Sequence, residues 1–125
     1  MKIRDVQIVI QSRKQAFRNA AEVFEKLRKG EHTTPSRTLG FPDIATFRKF
    51  LTQKRIEMLH VVRQKQPASL YELAKLLNRD LKSVNTDVAL LKQLSLIQLE
   101  KRKRGRTRVA PRVLFDRMQI SIAIA

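Results

Sequence analysis

Three helix-capping residues, Thr52, Ser69 and Asp80, succeed one another closely, and each stands directly before a run with apolar side chains at helical spacing. Thr52 opens QKRIEMLHVVRQK, where Ile56, Leu59 and Val62, with Met58 beside them, face inward, and Pro67 provides the stop. Ser69 opens LYELAKLL, with Glu72 at the spacing of a capping box. Asn78, Arg79 and Asp80 form a turn, and Asp80 caps LKSVNTDVALLKQL, whose Val84, Val88, Leu91 and Leu94 make the apolar stripe. Lys82, Ser83, Asn85, Thr86 and Ala89 are left for the outside. A short helix, DIATFRKFL, precedes the set. Two helices on a tight turn, the second with a small polar outer face, outline a helix-turn-helix.

A hairpin completes the outline. Ile97 to Glu100 alternates as a short strand, and Thr107, Val109 and Ala110 return before Pro111. Between them lies KRKRGRTR, residues 101–108, with six basic side chains around Gly105, the permissive residue a hairpin tip requires. Charges so dense repel one another unless an anion lies between them, so the hairpin reads as a wing built for contact.

The flanks carry a different pattern. IRDVQIVI, residues 3–10, is rich in branched side chains and reads as a strand. Ser12 caps a helix from Arg13 to Lys29 with Ala16, Phe17, Ala20, Val23, Phe24 and Leu27 on one stripe and Gly30 at its end. Residues 31–42, EHTTPSRTLGFP, read as a linker in which Phe41 packs down. FDRMQISIAIA alternates as a last strand. The expected organisation is α+β: a strand-helix extension and linker over residues 1–42, and a winged helix-turn-helix with a C-terminal strand over residues 43–125. The first and last strands lack partners inside the winged unit, so they pair with each other or across a twofold axis. A homodimer is therefore expected, its seam built by the N-terminal strand and helix with help from the C-terminal strand.

Charge narrows the function. Net charge is +16, and residues 101–125 alone hold 8 basic side chains against 1 acidic. Such an excess implies a polyanionic partner. Without cysteine there is neither a disulfide nor a thiolate zinc site, and two histidines are too few for a metal centre. His32 reads as a solvated linker residue and His60 as a partly buried structural one. The apolar runs are too short for a membrane span, so the expected location is the cytoplasm. No glycine-rich phosphate loop, HExxH or nucleophile elbow occurs, and Glu22 and Glu25 sit among basic neighbours as a salt-bridging helix surface. Neither catalysis nor a cofactor is expected.

Duplex DNA fits these residues in detail. Asn85 offers a donor and an acceptor to adenine, Lys82 donates to guanine, and Ser83 and Thr86 are short enough to let the helix approach. Lys54, Arg55 and Arg79 suit phosphates. Lys101, Arg102, Lys103, Arg104, Arg106 and Arg108 suit flanking phosphate or the minor groove.

The segment from Leu51 to Lys101 resembles the winged helix-turn-helix of the MarR/ArsR-like prokaryotic regulators. It is most similar to small DNA-binding proteins of a halophile-named subfamily with antitoxin-like members. The resemblance rests on Leu51-Thr52, Ser69 with Glu72-Leu73-Ala74, Asn78-Arg79-Asp80 and Asp87-Val88, and it extends over roughly residues 43–120. It implies a recognition-helix role for Lys82, Ser83, Asn85 and Thr86 and a wing at residues 101–108. Ser95 departs from the usual glycine, which predicts an ordinary exit turn. The expected function is a sequence-specific, homodimeric transcriptional regulator, with a nonspecific architectural DNA-binding protein, or an antitoxin-like module holding a protein such as a toxin, as alternatives. Dimeric binding predicts a palindromic site with half-sites about 34 Å apart.

Overall fold

The computed structural model describes residues 4–30, 37–104 and 106–124, and side chains within these ranges except those of residues 102–108. Among the described residues the fold is α+β, with five helices and five strands. The chain divides into two compact units, residues 1–49 with 115–125, and residues 50–114. The division thus falls after Lys49 and again after Leu114, where the sequence alone suggests a single boundary after residue 42. No helix among the described residues is long and apolar enough to cross a membrane.

The first unit is built on a parallel sheet. β1 (Asp5–Ile10) runs between β2 (Arg37–Phe41) and β5 (Arg117–Ile122), in the order β2-β1-β5. Parallel neighbours need long crossovers. α1 (Arg13–Arg28) lies in the connection from β1 to β2, and the whole second unit lies between β1 and β5. The first and last strands therefore pair with each other, Ile8 beside Ile120 and Ile10 beside Ile122.

Residues 37–41, expected as linker, form a strand. Leu39 and Phe41 lie in register with Ile8 and Ile10, and Phe41 is buried with its ring 5.6 Å, edge to face, from that of Phe47 on α2 (Ile44–Phe50). Glycine and proline in that stretch mask a strand because only one face of it is apolar. The sheet alternates cleanly along β1: Val6, Ile8 and Ile10 are buried, whereas Asp5 and Gln7 turn to the other face, where they meet Arg117 at 2.8 Å and Gln119 at 2.8 Å.

α1 begins with a capping box in which Ser12 Oγ accepts from the Gln15 N–H and the Ser12 N–H donates to Gln15 Oε1. Gly30 follows its end at φ 79°. The expected apolar stripe exists, yet no residue of α1 is buried, and Phe17 remains 77% exposed.

The second unit holds α3 (Gln53–Lys65), α4 (Leu70–Leu77), α5 (Leu81–Gln93) and the hairpin β3 (Gln98–Arg104) with β4 (Arg106–Arg112). Thr52, Ser69 and Asp80 cap the three helices as their spacing predicts. The core joins Met58, Leu59 and Val62 of α3, Leu73 and Ala74 of α4, Val84, Val88 and Leu91 of α5, and Leu96, Ile97 and Ala110 around the hairpin. Burial of this kind stabilises by about 1.5–3 kcal/mol per large aliphatic side chain. Met58, not Ile56, fills the inward position on α3, because Ile56 lies on the exposed side of the helix. His60 is exposed rather than partly buried.

The exit from α5 also differs from expectation. Ser95 adopts φ 60°, its N–H donates to Lys92 O at 2.9 Å, and the Leu96 N–H reaches Leu91 O at 2.9 Å. This is the left-handed Schellman closure that glycine usually serves. Leu91 and Leu96 are both buried, and their packing holds a serine in a conformation it does not favour.

Candidate nucleic-acid interface

The turn between α4 and α5 is set by the backbone at residues 78–80. Asn78 takes φ 54°, which asparagine tolerates better than most residues. The Asn78 and Arg79 N–H groups return to Lys75 O and Ala74 O, ending α4, and Asp80 restarts the chain as α5. Asp80 accepts from the Ser83 N–H at 2.9 Å and from the Ser83 hydroxyl at 2.8 Å. The Ser83 backbone N–H first, then its hydroxyl, hold the Asp80 carboxyl below the ordinary carboxylate value of 3.8.

On the outer face of α5, Lys82, Asn85 and Thr86 are exposed and Ser83 is half-buried. Lys82 and Asn85 hold no hydrogen bond or ion pair with other side chains among the described residues, so their donors and the Asn85 acceptor are open. Ser83 is engaged by Asp80, and the Thr86 hydroxyl donates to Lys82 O at 3.0 Å. The protons of those two hydroxyls are thus committed locally while their oxygens can still accept, and Lys82 and Asn85 are the two whose donors are open.

The expected phosphate residues separate into two groups. Lys54 is exposed near the start of α3, as is Lys101 on the hairpin. Arg55 and Arg79, expected at phosphates, instead turn inward to an acidic partner. Arg55 Nε lies 3.0 Å from Asp87 Oδ1, and a second donor of the same guanidinium, Nη1, reaches Phe50 O at 2.9 Å. Arg79 Nη2 lies 2.7 Å from Asp87 Oδ2. Asp87 is buried, and a lone buried carboxylate is costly, so the two arginines are its physical requirement. Arg79 Nη1 is buried with no hydrogen-bond partner among the described residues. The signal for this triad is in the sequence: Asp87 interrupts the stripe Val84, Val88, Leu91, and a charge there must meet counter-charges.

The side chains of Arg102, Lys103, Arg104, Arg106 and Arg108 lie outside the described residues. Their backbone partners are set by the antiparallel hairpin, with Lys101 opposite Val109, Arg102 opposite Arg108 and Arg104 opposite Arg106. The base of the hairpin is tied down by Arg112, whose Nε lies 3.2 Å from Glu100 Oε2 and whose Nη1 donates to Pro67 O at 3.4 Å.

One feature beyond the sequence reading adjoins α5. Tyr71 is 60% exposed, and Lys75 Nζ stands 4.7 Å from its ring centre. Both line a groove of about 440 Å³ between α4 and the start of α5 that also takes in Asn78 and Asp80. The spacing of Tyr71 and Lys75, one helical turn apart, is the available signal.

Residues 50–120, more than half of the chain, match the family described as HVO_A0114. The chain belongs to the HVO_A0114 family. The matched region takes in α3, α4, α5, the hairpin and the first part of β5, and it includes every candidate contact residue named above. No curated protein and no solved structure matches the chain.

Proposed function

We propose that the chain is a cytoplasmic, duplex-DNA-binding transcriptional regulator of winged helix-turn-helix type that acts as a homodimer. The observation that carries this reading is the outer face of α5. Lys82 and Asn85 stand exposed and uncommitted directly after a tight, capped turn, on a helix whose other face is locked into the core. A basic hairpin comes next in a chain of net charge +16. In this reading Asn85 and Lys82 read base edges, Lys54 and Lys101 take phosphate, and the remaining hairpin basic residues take phosphate or the minor groove. Arg55, Arg79 and Asp87 hold the turn in register and touch no DNA.

Selection of sites from a random duplex pool at near-physiological salt tests it. A palindromic winner bound about 1,000-fold or more tighter than a scrambled duplex supports the reading. Equal binding to all duplexes moves the chain to the architectural class.

The uncovered stripe on α1 favours a second reading, an antitoxin-like role in which a protein partner covers Phe17 and Phe24. Such a partner stays bound when Lys82, Asn85 and the hairpin basic residues are neutralised, and it is lost on Phe24→Lys.

A further inference from the structure

The two edges of the parallel sheet are built differently. β2 is five residues long, opens on Arg37, contains Gly40 and ends before Pro42, features that discourage pairing with another chain. β5 carries a charge only at its first residue, Arg117, and that charge is held by Asp5 at 2.8 Å. From Met118 to Ala125 there is neither a charge nor a proline. Yet among the described residues β5 ends the sheet.

The apolar face also runs on to this edge. Val6, Ile8 and Ile10 are buried, and their register partners on β5 are Met118, Ile120 and Ile122. Ile120 is 52% and Ile122 48% exposed, so a continuous apolar surface stops half-covered at an open strand. The backbone gives the direction of the unused hydrogen bonds. The Arg117 and Ala123 N–H groups donate to Arg4 O and Ile10 O, toward β1. In a parallel strand alternate residues point their backbone groups to the same side. The groups of Met118, Ile120 and Ile122 therefore point outward.

We infer that β5 pairs antiparallel with β5 of a second copy, with Ile120 on the twofold axis and Met118 opposite Ile122 of the partner subunit. The three residues with outward backbone groups then bond only to one another, and the apolar side chains of both strands stay on one face, extending the sheet to six strands. Charge placement favours a second copy over another partner. In a chain of net charge +16, two copies meet least repulsion where charge is absent, and this strand is such a place. In the proposed register the two Arg117 residues stand six positions apart along the seam, roughly 20 Å. The proposal specifies the seam of the homodimer in the DNA-binding reading and rests on that reading only for the dimer; the pairing itself requires no DNA.

The test is molar mass in solution by light scattering and sedimentation, with duplex binding measured separately. Wild type is expected at twice 14.6 kDa. Ile120→Pro removes an outward N–H while leaving the bonds to β1, so it is expected to keep its circular dichroism and weaken self-association on the order of 100-fold. Ile122→Lys, which places like charges at the seam, is expected to do the same and serves if the proline variant fails to fold. A wild-type monomer at about 100 μM overturns the seam. So does a dimer that survives both substitutions, or one abolished instead by Phe24→Lys. A dimer that binds no duplex leaves the seam standing and sinks the DNA reading alone.

Discussion

Arg79 Nη2 lies 2.7 Å from Asp87 Oδ2, so the turn between α4 and α5 is bound to the second turn of the helix it introduces. The other oxygen of the same carboxylate takes Arg55 from α3. One side chain thus fixes three elements. Asp87→Ala removes the carboxylate that both arginines share and is expected to destabilise by about 3 kcal/mol, scaled down from a fully buried pair because both arginines keep some solvent contact. Urea unfolding measures this, and a loss below about 1 kcal/mol would show that the triad is a surface arrangement.

Lys54 and Arg55 are neighbours in sequence with opposite expected effects. Lys54→Ala should lower duplex affinity for all sequences and reduce the salt slope by about 1, with stability unchanged. Arg55→Ala should lower stability first. If instead Arg55→Ala folds as wild type and loses affinity uniformly, its inward assignment fails.

Asn85→Ala is expected to reduce discrimination between the selected site and its scramble by about 1–3 kcal/mol, with little change in binding to the scramble. Equal loss on both duplexes in a titration would make Asn85 a backbone contact.

Acid should loosen the start of α5. Because the folded-state pKa of Asp80 lies below its ordinary 3.8, its capping contribution is complete above that value and fades as pH falls through the folded pKa. Asp43, held down by the Thr46 N–H at the start of α2, has the same sign. Melting temperature measured from neutral to acid pH should therefore fall less steeply below about pH 4 in Asp80→Asn than in wild type. Parallel curves would remove the carboxylate from the account.

Gln66 ends α3 at φ 47° and ψ 59°, a left-handed conformation with no advantage for glutamine. Gln66→Gly should raise stability by about 0.5–1 kcal/mol, read as a shift of the denaturation midpoint. Asn78, at φ 54°, should gain less from the same change, because asparagine already tolerates that region.

The elements with local signals are legible in the sequence. Thr52, Ser69 and Asp80 cap helices at the expected residues because capping depends on a side chain and a backbone three positions away. The hairpin is readable from alternation around a glycine. The unread elements depend on packing that no local signal announces. β2 becomes a strand only beside β1, and Ser95 turns left-handed only because Leu91 and Leu96 pack. In the candidate site Lys82 and Asn85 lie outside as their position after the turn implies, while Arg55 and Arg79 go inward because Asp87 is buried; the place of Asp87 in the apolar stripe announces a buried charge but does not name its partners, of which Arg55 lies 32 positions away.

Arg4 O accepts from the Asp116 and Arg117 N–H groups, a contact spanning 112 positions or more that begins the pairing of β1 with β5. During translation β1 leaves the ribosome long before β5 exists, whereas residues 50–114 hold all their own helices and hairpin. The second unit is thus able to fold first, with β1 waiting, its apolar face uncovered by β5, until the sheet can close. A slow step in refolding should accordingly belong to the sheet and not to the helices of the second unit, and a nascent chain arrested before residue 116 would present β1 unpaired on that side to any chaperone able to grip an extended apolar strand.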